Sequence, residues 1–341
     1  MRIVHLLLSQ SFAGTERHAI ELANAQAQHH EVTMILRRVA AKPWPEALAH
    51  RLHPRIRQVR VRGWGRLADW GARRALRRLM PDVGHAHLSH DCRALHGLHG
   101  PCLRVATLHI RYKPRLHSAL DALIAIAPWQ LEAVPAAQRG HTVQIDNWTT
   151  AGPADLQERR RLRAELGLAG GEFLIGALGR VERSKGLDVL VEAFLSAKLP
   201  MARLAIVGGG REWRALRRRA PPEVVMPGFV ENPQSWFSAF DAFVSAARSE
   251  PFGLVFLEAM AAGLPILATD SEGGMRLAAM IRRPLVARND VAALARALAA
   301  LVAERPPRQD YDLSAFTLSA KVAEVEAFYR HELSYRVPAH P

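Results

Sequence analysis

The stretch Ser249-Glu-Pro-Phe-Gly-Leu-Val-Phe-Leu-Glu-Ala-Met-Ala-Ala-Gly-Leu-Pro-Ile-Leu-Ala-Thr269 decides the fold. Upstream of it, Phe240 to Ala246 reads as a short buried strand, so Glu250 falls in the loop where that strand ends. Pro251 and Gly253 then open a helix with Leu254, Leu257, Ala261 and Ala262 on its apolar side, which places Glu258 on the helix. Gly263-Leu-Pro stops that helix, and Ile266-Leu267-Ala268 begins the next buried strand. Two strands joined by a helix make a parallel unit, the building block of an α/β sheet wrapped by helices.

The same stretch has chemical potential. A helix start presents unpaired N–H groups and a partial positive charge, so the amides of Phe252, Gly253, Leu254 and Val255 can hold a phosphate, with Gly253 permitting close approach of the backbone. Carboxylates beside a phosphate repel it unless they serve uncharged hydroxyls on the same ligand. A nucleotide sugar has both kinds of group, a diphosphate between a ribose and a hexose. A core helix with a solvated Glu258 and a turn at Glu-Pro-Phe-Gly accounts for the spacing equally well.

Glu250 and Glu258, with seven residues between them in Glu-Pro-Phe-Gly-Leu-Val-Phe-Leu-Glu-Ala-Met-Ala-Ala-Gly-Leu-Pro, resemble the signature of retaining GT-B glycosyltransferases of glycosyltransferase family 4. The resemblance implies an α/β GT-B fold, in which two Rossmann-like parallel-sheet domains face a cleft and a C-terminal helix crosses back to the first domain. It also implies Glu250 against the donor sugar and Glu258 on the ribose. Upstream, Gly179-Arg180-Val-Glu-Arg-Ser184-Lys185-Gly186 joins a strand to a helix, and its arginine and lysine can converge on one diphosphate, Arg180 as a planar fork and Lys185 as a point charge. This loop resembles the family's diphosphate clamp. Gly208-Gly209-Gly210 is a close-approach turn, and Val225 to Val230, with Phe229 and Val230 at its end, resembles the segment that lies against the base. Glu272-Gly273-Gly274 closes the site from the next loop.

The first half adds two candidates. Ala13-Gly14-Thr15-Glu16 resembles the family's first loop, usually Gly-Gly-x-Glu, and sets Gly14 at a helix N-terminus where a phosphate can sit. His109 ends the strand Leu103 to His109, at the sheet edge where open α/β folds bind ligands. The resemblance places a histidine there against the donor sugar, while a structural role for one histidine of sixteen is equally open. Arg111, Lys113 and Arg115 follow in the same loop and suit an anionic acceptor. His85, His87, His90, His96 and His99 form no recognisable zinc pattern, and no metal is expected.

Strand-like segments recur at Arg2 to Leu8, Glu31 to Leu36, Arg57 to Val61, Val83 to His87, Leu103 to His109, Ala122 to Ala127 and Thr142 to Asp146, then at Phe173 to Leu178, Leu204 to Val207 and Val225 to Val230. Their alternation with helices divides the chain into an acceptor-side domain over 1–150, a linker and first helix over 151–169, a nucleotide-sugar domain over 170–312 and a crossover helix and tail over 313–341. An apolar share of 49% in 341 residues is ample for two cores.

Cys92 and Cys102 are too few for a disulfide framework, which suits a reducing compartment. The apolar run Ile3 to Leu8 is too short for a signal-peptide core, and no segment approaches a membrane span, so the expected location is cytoplasmic or at the inner face of the plasma membrane. The formal charge of +14 suits nucleic acid, acidic lipid or a phosphorylated saccharide, and a solvated basic surface also explains it. Trp64, Leu67, Trp70 and Leu76, with Arg66, Arg73, Arg74, Arg77 and Arg78, read as a basic amphipathic segment. It serves either peripheral contact with anionic membrane or core packing under a solvated arginine face.

The expected function is therefore retaining transfer of a sugar from a nucleotide diphosphate donor, base and sugar unassigned, to a saccharide or lipid-linked acceptor, in cell-envelope polysaccharide or lipopolysaccharide synthesis. Glu250, His109, Arg180 and Lys185 are the expected catalytic residues. The donor is a co-substrate, and no cofactor is expected. A sugar-nucleotide epimerase of the same fold is the alternative. A glycosidase needs two carboxylates but no diphosphate clamp, and a nucleic-acid-binding protein leaves the glutamates unexplained.

Overall fold

The computed structural model describes residues 1–336 except Ser11, Pro43, Pro45, Glu46 and His99. His99 and the end of the expected tail, 337–341, therefore lie outside the described residues. The chain divides into two compact units, Met1–Asn147 with Thr317–Pro341, and Trp148–Phe316.

The described residues of unit 1 form seven strands: β1 (Arg2–Leu7), β2 (Glu31–Arg37), β3 (Arg57–Val61), β4 (Val83–Ala86), β5 (Leu103–Leu108), β6 (Ala122–Ala125) and β7 (Thr142–Gln144). They pair in the order β3-β2-β1-β4-β5-β6-β7, and every pairing is parallel. Unit 2 holds β8 (Phe173–Leu178), β9 (Ala202–Val207), β10 (Val224–Gly228), β11 (Ala242–Ser245) and β12 (Ile266–Ala268), in the all-parallel order β10-β9-β8-β11-β12. The central strands are near-continuous apolar runs because helices cover both faces of a parallel sheet. Strands β1, β5, β8 and β9 are buried along almost their whole length.

Strand order reverses once in each sheet, between β1 and β4 in unit 1 and between β8 and β11 in unit 2. Connections leave these neighbours in opposite directions, which opens a crevice at their carboxyl ends, the place where ligands bind open α/β sheets.

The helix Leu318–Ser334 belongs to unit 1, as the crossover reading requires. Thr317 caps it by accepting from the Ala320 N–H at 3.4 Å, and Val322, Val325, Phe328 and Tyr329 are buried. It starts later than the expected Leu313, because Ser314–Phe316 form a separate 3-10 turn. In unit 2 the helix Leu156–Glu165 is fastened by Arg159 and Arg163, which bond Asp241 at 2.5 and 2.9 Å.

Three sequence expectations change in detail. The signature helix spans Leu254–Ala261, so Pro251 lies in the loop ahead of it, and Phe256, Leu257, Ala259 and Met260 are all buried. It is covered nearly all round rather than on one apolar side. Val225 to Val230 ends as a strand at Gly228, leaving Phe229 and Val230 in the following loop. In the basic helix Arg66–Leu79, Leu76 is buried with Ala68 and Ala72, while Trp64, Leu67 and Trp70 are 64%, 59% and 61% exposed. The four apolar residues therefore do not share a face.

Candidate functional site

In unit 2, two loops meet over the β8/β11 switch point. The first leaves β8 through Gly179, Arg180 and Lys185, and the second leaves β11 toward Glu250. Ser184 O accepts from the N–H groups of Arg248 and Ser249 at 2.8 and 3.1 Å, stitching the loops together. Arg248 adds a fork, donating to both Asp188 carboxylate oxygens at 2.7 Å and to Arg183 O at 2.8 Å. The Asp188 carboxyl accordingly sits below the usual range, with the Arg248 hydrogen bonds as the main cause. Gly186 turns into the helix Leu187–Ala197 at φ +60°, where a Cβ would stand 2.0 Å from Ala246 O, so glycine is required there.

This stitching brings Lys185 Nζ onto Glu250 Oε2 in an ion pair, with side chains 23% and 11% exposed. Glu250 is braced by the start of a short helix, Glu272–Arg276, where the sequence reads as a loop over Glu272-Gly273-Gly274. Its N–H donates to Glu272 Oε2 at 3.1 Å, and its carbonyl accepts from Gly273 N–H at 2.7 Å. Ser249 Oγ reaches Glu272 Oε1 at 3.4 Å. The loops after β8 and β11 and the helix start after β12 thus converge on one carboxylate and one ammonium.

The helix Leu254–Ala261 begins four residues after Glu250. Gly253 caps it at φ +86°, and a Cβ there would lie 2.3 Å from the Phe256 ring. The start therefore depends on glycine for both conformation and space. The Phe252 side chain is 1% exposed and belongs to the core, so residues 252–255 can offer a ligand backbone amides rather than a phenyl ring. Glu258 is 4% exposed and accepts from Gln234 Nε2 at 3.2 Å.

Arg180 and Lys185 turn to different partners. The Arg180 guanidinium is 64% exposed and pairs with Glu182 at 3.0 Å, while Lys185 faces Glu250. Gly208 N–H donates to Gly228 O at 2.9 Å, and Phe229, 48% exposed, lies against Gly209. The glycine turn and the Phe229-Val230 segment are therefore neighbours. The Asp-x-Asp spacing of some metal-dependent transferases does occur in this chain, at Asp310-Tyr311-Asp312. Tyr311 donates there to Leu264 O at 2.9 Å, and Asp312 accepts from Ser314 N–H at 3.0 Å.

Gly14 and His109 belong to unit 1. Gly14 is the first residue of the helix Gly14–Gln26, after Ala13 in extended conformation. His109 follows β5 and packs edge-on against His18 with ring centroids 4.7 Å apart. Burial pushes its imidazole down to about 3.

Sequence reading missed two features of unit 1. The first is a cavity of about 550 Å³ at the carboxyl ends of β1 and β2, lined by Leu8, Gln10, Arg37, Trp64, Asp69, His90 and Arg93 among others. Arg37 is 4% exposed, donates to Gly63 O at 3.1 Å and lies 3.2 Å from the Trp64 ring centroid. Arg93 donates to Asp69 at 2.7 Å. Arginine at the end of a buried strand is the signal that could have found it.

The second is a group of histidines. His5, His85 and His87 bring ring nitrogens within 4.8 Å of one another, and so do His18, His87 and His109. Their spacing in sequence follows no ligand motif. The available signal was histidine within apolar strands, with His85 and His87 two apart and hence on one side of β4.

Comparison with known proteins agrees with this architecture. One relative is D-inositol 3-phosphate glycosyltransferase of Xylanimonas cellulosilytica, 35% identical over 176 residues, which cover 48% of this chain and 42% of that protein. Another is the lipopolysaccharide core biosynthesis mannosyltransferase LpsB of Rhizobium meliloti, 32% identical over 182 residues, 48% of this chain and 50% of that protein. The chain spans about half the length of these curated relatives. Among solved structures, Anabaena Alr3699/HepE in complex with UDP and glucose superposes with a TM-score of 0.74 at 18% identity, covering 98% of this chain and 99% of that one. The fold is GT-B, and residues 172–304, which contain every unit 2 candidate from Arg180 to Glu258, match the family model described as Glycosyl transferases group 1.

Proposed function

We propose that the chain is a retaining glycosyltransferase that moves a sugar from a nucleotide diphosphate donor to a saccharide or lipid-linked acceptor in cell-envelope polysaccharide or lipopolysaccharide synthesis. The observation that carries the reading is the Lys185–Glu250 pair over the β8/β11 switch point, one loop away from the start of the Leu254–Ala261 helix. An ammonium, a carboxylate and a helix N-terminus suit a ligand that is anionic in one part and hydroxylated in the next.

In this reading the diphosphate displaces Glu250 from Lys185 and takes a second cation from Arg180. Negative charge grows on the leaving phosphate as the glycosidic C–O bond breaks, and Lys185, Arg180 and the amides of 252–255 stabilise it. Glu250, released from its ion pair, accepts hydrogen bonds from hexose hydroxyls, and His109 faces the donor sugar. Glu258 holds the ribose, with Phe229 and Val230 beside the base. These cations take the part a divalent ion plays elsewhere. Gly14 and the cavity around Arg37 and Arg93 serve the acceptor, whose anionic groups the two guanidiniums would meet. Trp64, Leu67 and Trp70, exposed among arginines, suit attachment to an anionic membrane surface from the cytoplasmic side.

The test is depletion of donor from a panel of nucleotide sugars, with and without a cell-envelope lipid and saccharide fraction. Acceptor-dependent release of nucleoside diphosphate, unaffected by EDTA, with an anomer matching the donor in the product, is the expected result. Donor isomerisation without acceptor would instead identify an epimerase. Inversion at the anomeric carbon would overturn the retaining assignment.

A further inference from the structure

Five histidines of unit 1 gather beside the switch point: His5 and His85 within β1 and β4, His87 and His109 just after β4 and β5, and His18 on the helix Gly14–Gln26. In one part of the group the ring nitrogens are all engaged. His85 Nδ1 meets Tyr329 OH at 2.6 Å, and its Nε2 meets Thr107 Oγ1 at 2.8 Å. His5 Nε2 donates to Gln26 Oε1 at 2.8 Å. With Gln26 Oε1 toward the ring, that bond puts the His5 proton on Nε2, since an amide oxygen only accepts. Neutral His5 carries its proton on Nε2, so its Nδ1 lone pair accepts from His87 Nε2–H at 2.9 Å. Neutral His87 then presents a lone pair on Nδ1.

That nitrogen is buried and has no hydrogen-bond partner among the described residues, and neither has His109 Nε2. One nitrogen from each of His18, His87 and His109 lies within 4.8 Å of the others. His87 is 1% and His18 5% exposed. Burial holds all three imidazoles in the neutral form that binds metals.

We propose that His18, His87 and His109 form a site for a late first-row divalent cation such as zinc, with three imidazole nitrogens as ligands and a fourth position open. Tetrahedral zinc takes nitrogen at about 2.0–2.1 Å, which sets ligand nitrogens about 3.3 Å apart. Small ring rotations close the remaining gap. His5, backed by Gln26, orients the His87 ring from behind, as outer hydrogen-bond partners do at metal sites. Three imidazoles favour zinc, nickel or copper over magnesium and calcium, which take oxygen ligands. The companion group His5, His85 and His87 is held by its own hydrogen bonds and acts as support. The site stands independently of the transfer reaction. Only one consequence rests on that reaction, that an ion on His109 withdraws it from the sugar and inhibits.

The test titrates the full chain, without a histidine tag and cleared of metal by chelation, with Co2+ and then Zn2+. The expected result is a visible absorption of four-coordinate cobalt that saturates at one ion per chain and is displaced by zinc. His18→Gln and His109→Gln should each weaken binding by at least the roughly 10- to 100-fold that loss of an outer partner costs. Absence of the band in the wild-type chain overturns the proposal, whatever the variants do. So does a band that persists unchanged in both variants, or one lost in His85→Gln but intact in His18→Gln. Because donor turnover is not the readout, failure here leaves the transferase reading untouched.

Discussion

Lys185 and Glu250 neutralise each other in a partly buried pair, and in the proposed reaction the donor breaks that pair to bind. Lys185→Ala removes a charge-assisted contact to the diphosphate and leaves Glu250 without its cation. It should lower kcat/KM by about ten- to a thousandfold, roughly 2–4 kcal/mol, with the fold intact. Steady-state kinetics beside circular dichroism check this, and near-normal turnover would remove Lys185 from the site. The two glutamates should fail differently. Glu250→Gln should chiefly lower kcat and Glu258→Gln chiefly raise the donor KM, each by about 1.5–3 kcal/mol. Free nucleoside diphosphate contains the ribose and lacks the hexose, so its binding should weaken only in the Glu258 variant. Normal binding in both variants would show that Glu258 is not on the ribose. The positions of these carboxylates were legible in sequence because a loop ending and a helix start are local signals. Their partners were not: Lys185 is 65 residues from Glu250, and only the stitching of two crossover loops joins them.

The Arg66–Leu79 helix shows where periodicity under-determines an element. Ala68, Ala72 and Leu76, with Ala75 and Leu79 partly buried beside them, satisfy the sheet, which leaves Trp64, Leu67 and Trp70 on the solvent side with Arg66, Arg74, Arg77 and Arg78 exposed. Sequence alone could not separate these roles, because small alanines carry the inward face and the large residues point outward. The chain should bind vesicles rich in anionic lipid, less so as salt rises, and Trp70→Ser should weaken that binding without loss of stability. Equal binding to neutral vesicles would count against this surface. Leu76→Ala should instead cost about 2–5 kcal/mol of stability, read by denaturant unfolding. Most strands among the described residues were legible because they are short apolar runs between turn signals, with polar β3 and β7 as the exceptions, whereas the histidine group was not, being assembled by the sheet from positions 5 to 109.

Acid should reveal the histidine group in the stability of the molecule. Burial lowers His5 to about 4 and His109 to about 3, from an ordinary value of 6.5, and holds His18, His85 and His87 well below it. Above 6.5 these rings are neutral in both folded and unfolded chains and contribute no pH dependence. As pH falls below 6.5 the unfolded chain takes up protons that the folded one refuses, so stability drops until the folded values near 3–4 are reached. The apparent Tm should therefore decline steadily between about pH 6.5 and 4, and a flat profile across that window would mean the rings are hydrated. The helix Leu318–Ser334 has a further consequence, for synthesis. Tyr329 supplies the partner of His85 Nδ1, and Glu332 that of His141 Nδ1 at 2.8 Å. Unit 1 is therefore interrupted in the chain by the whole of unit 2, and a nascent polypeptide exposes nearly all of the first sheet long before the piece that covers it leaves the ribosome. Unit 2, one continuous segment, can fold first, and on a ribosome arrested before residue 317 it should resist protease while the N-terminal portion is cut.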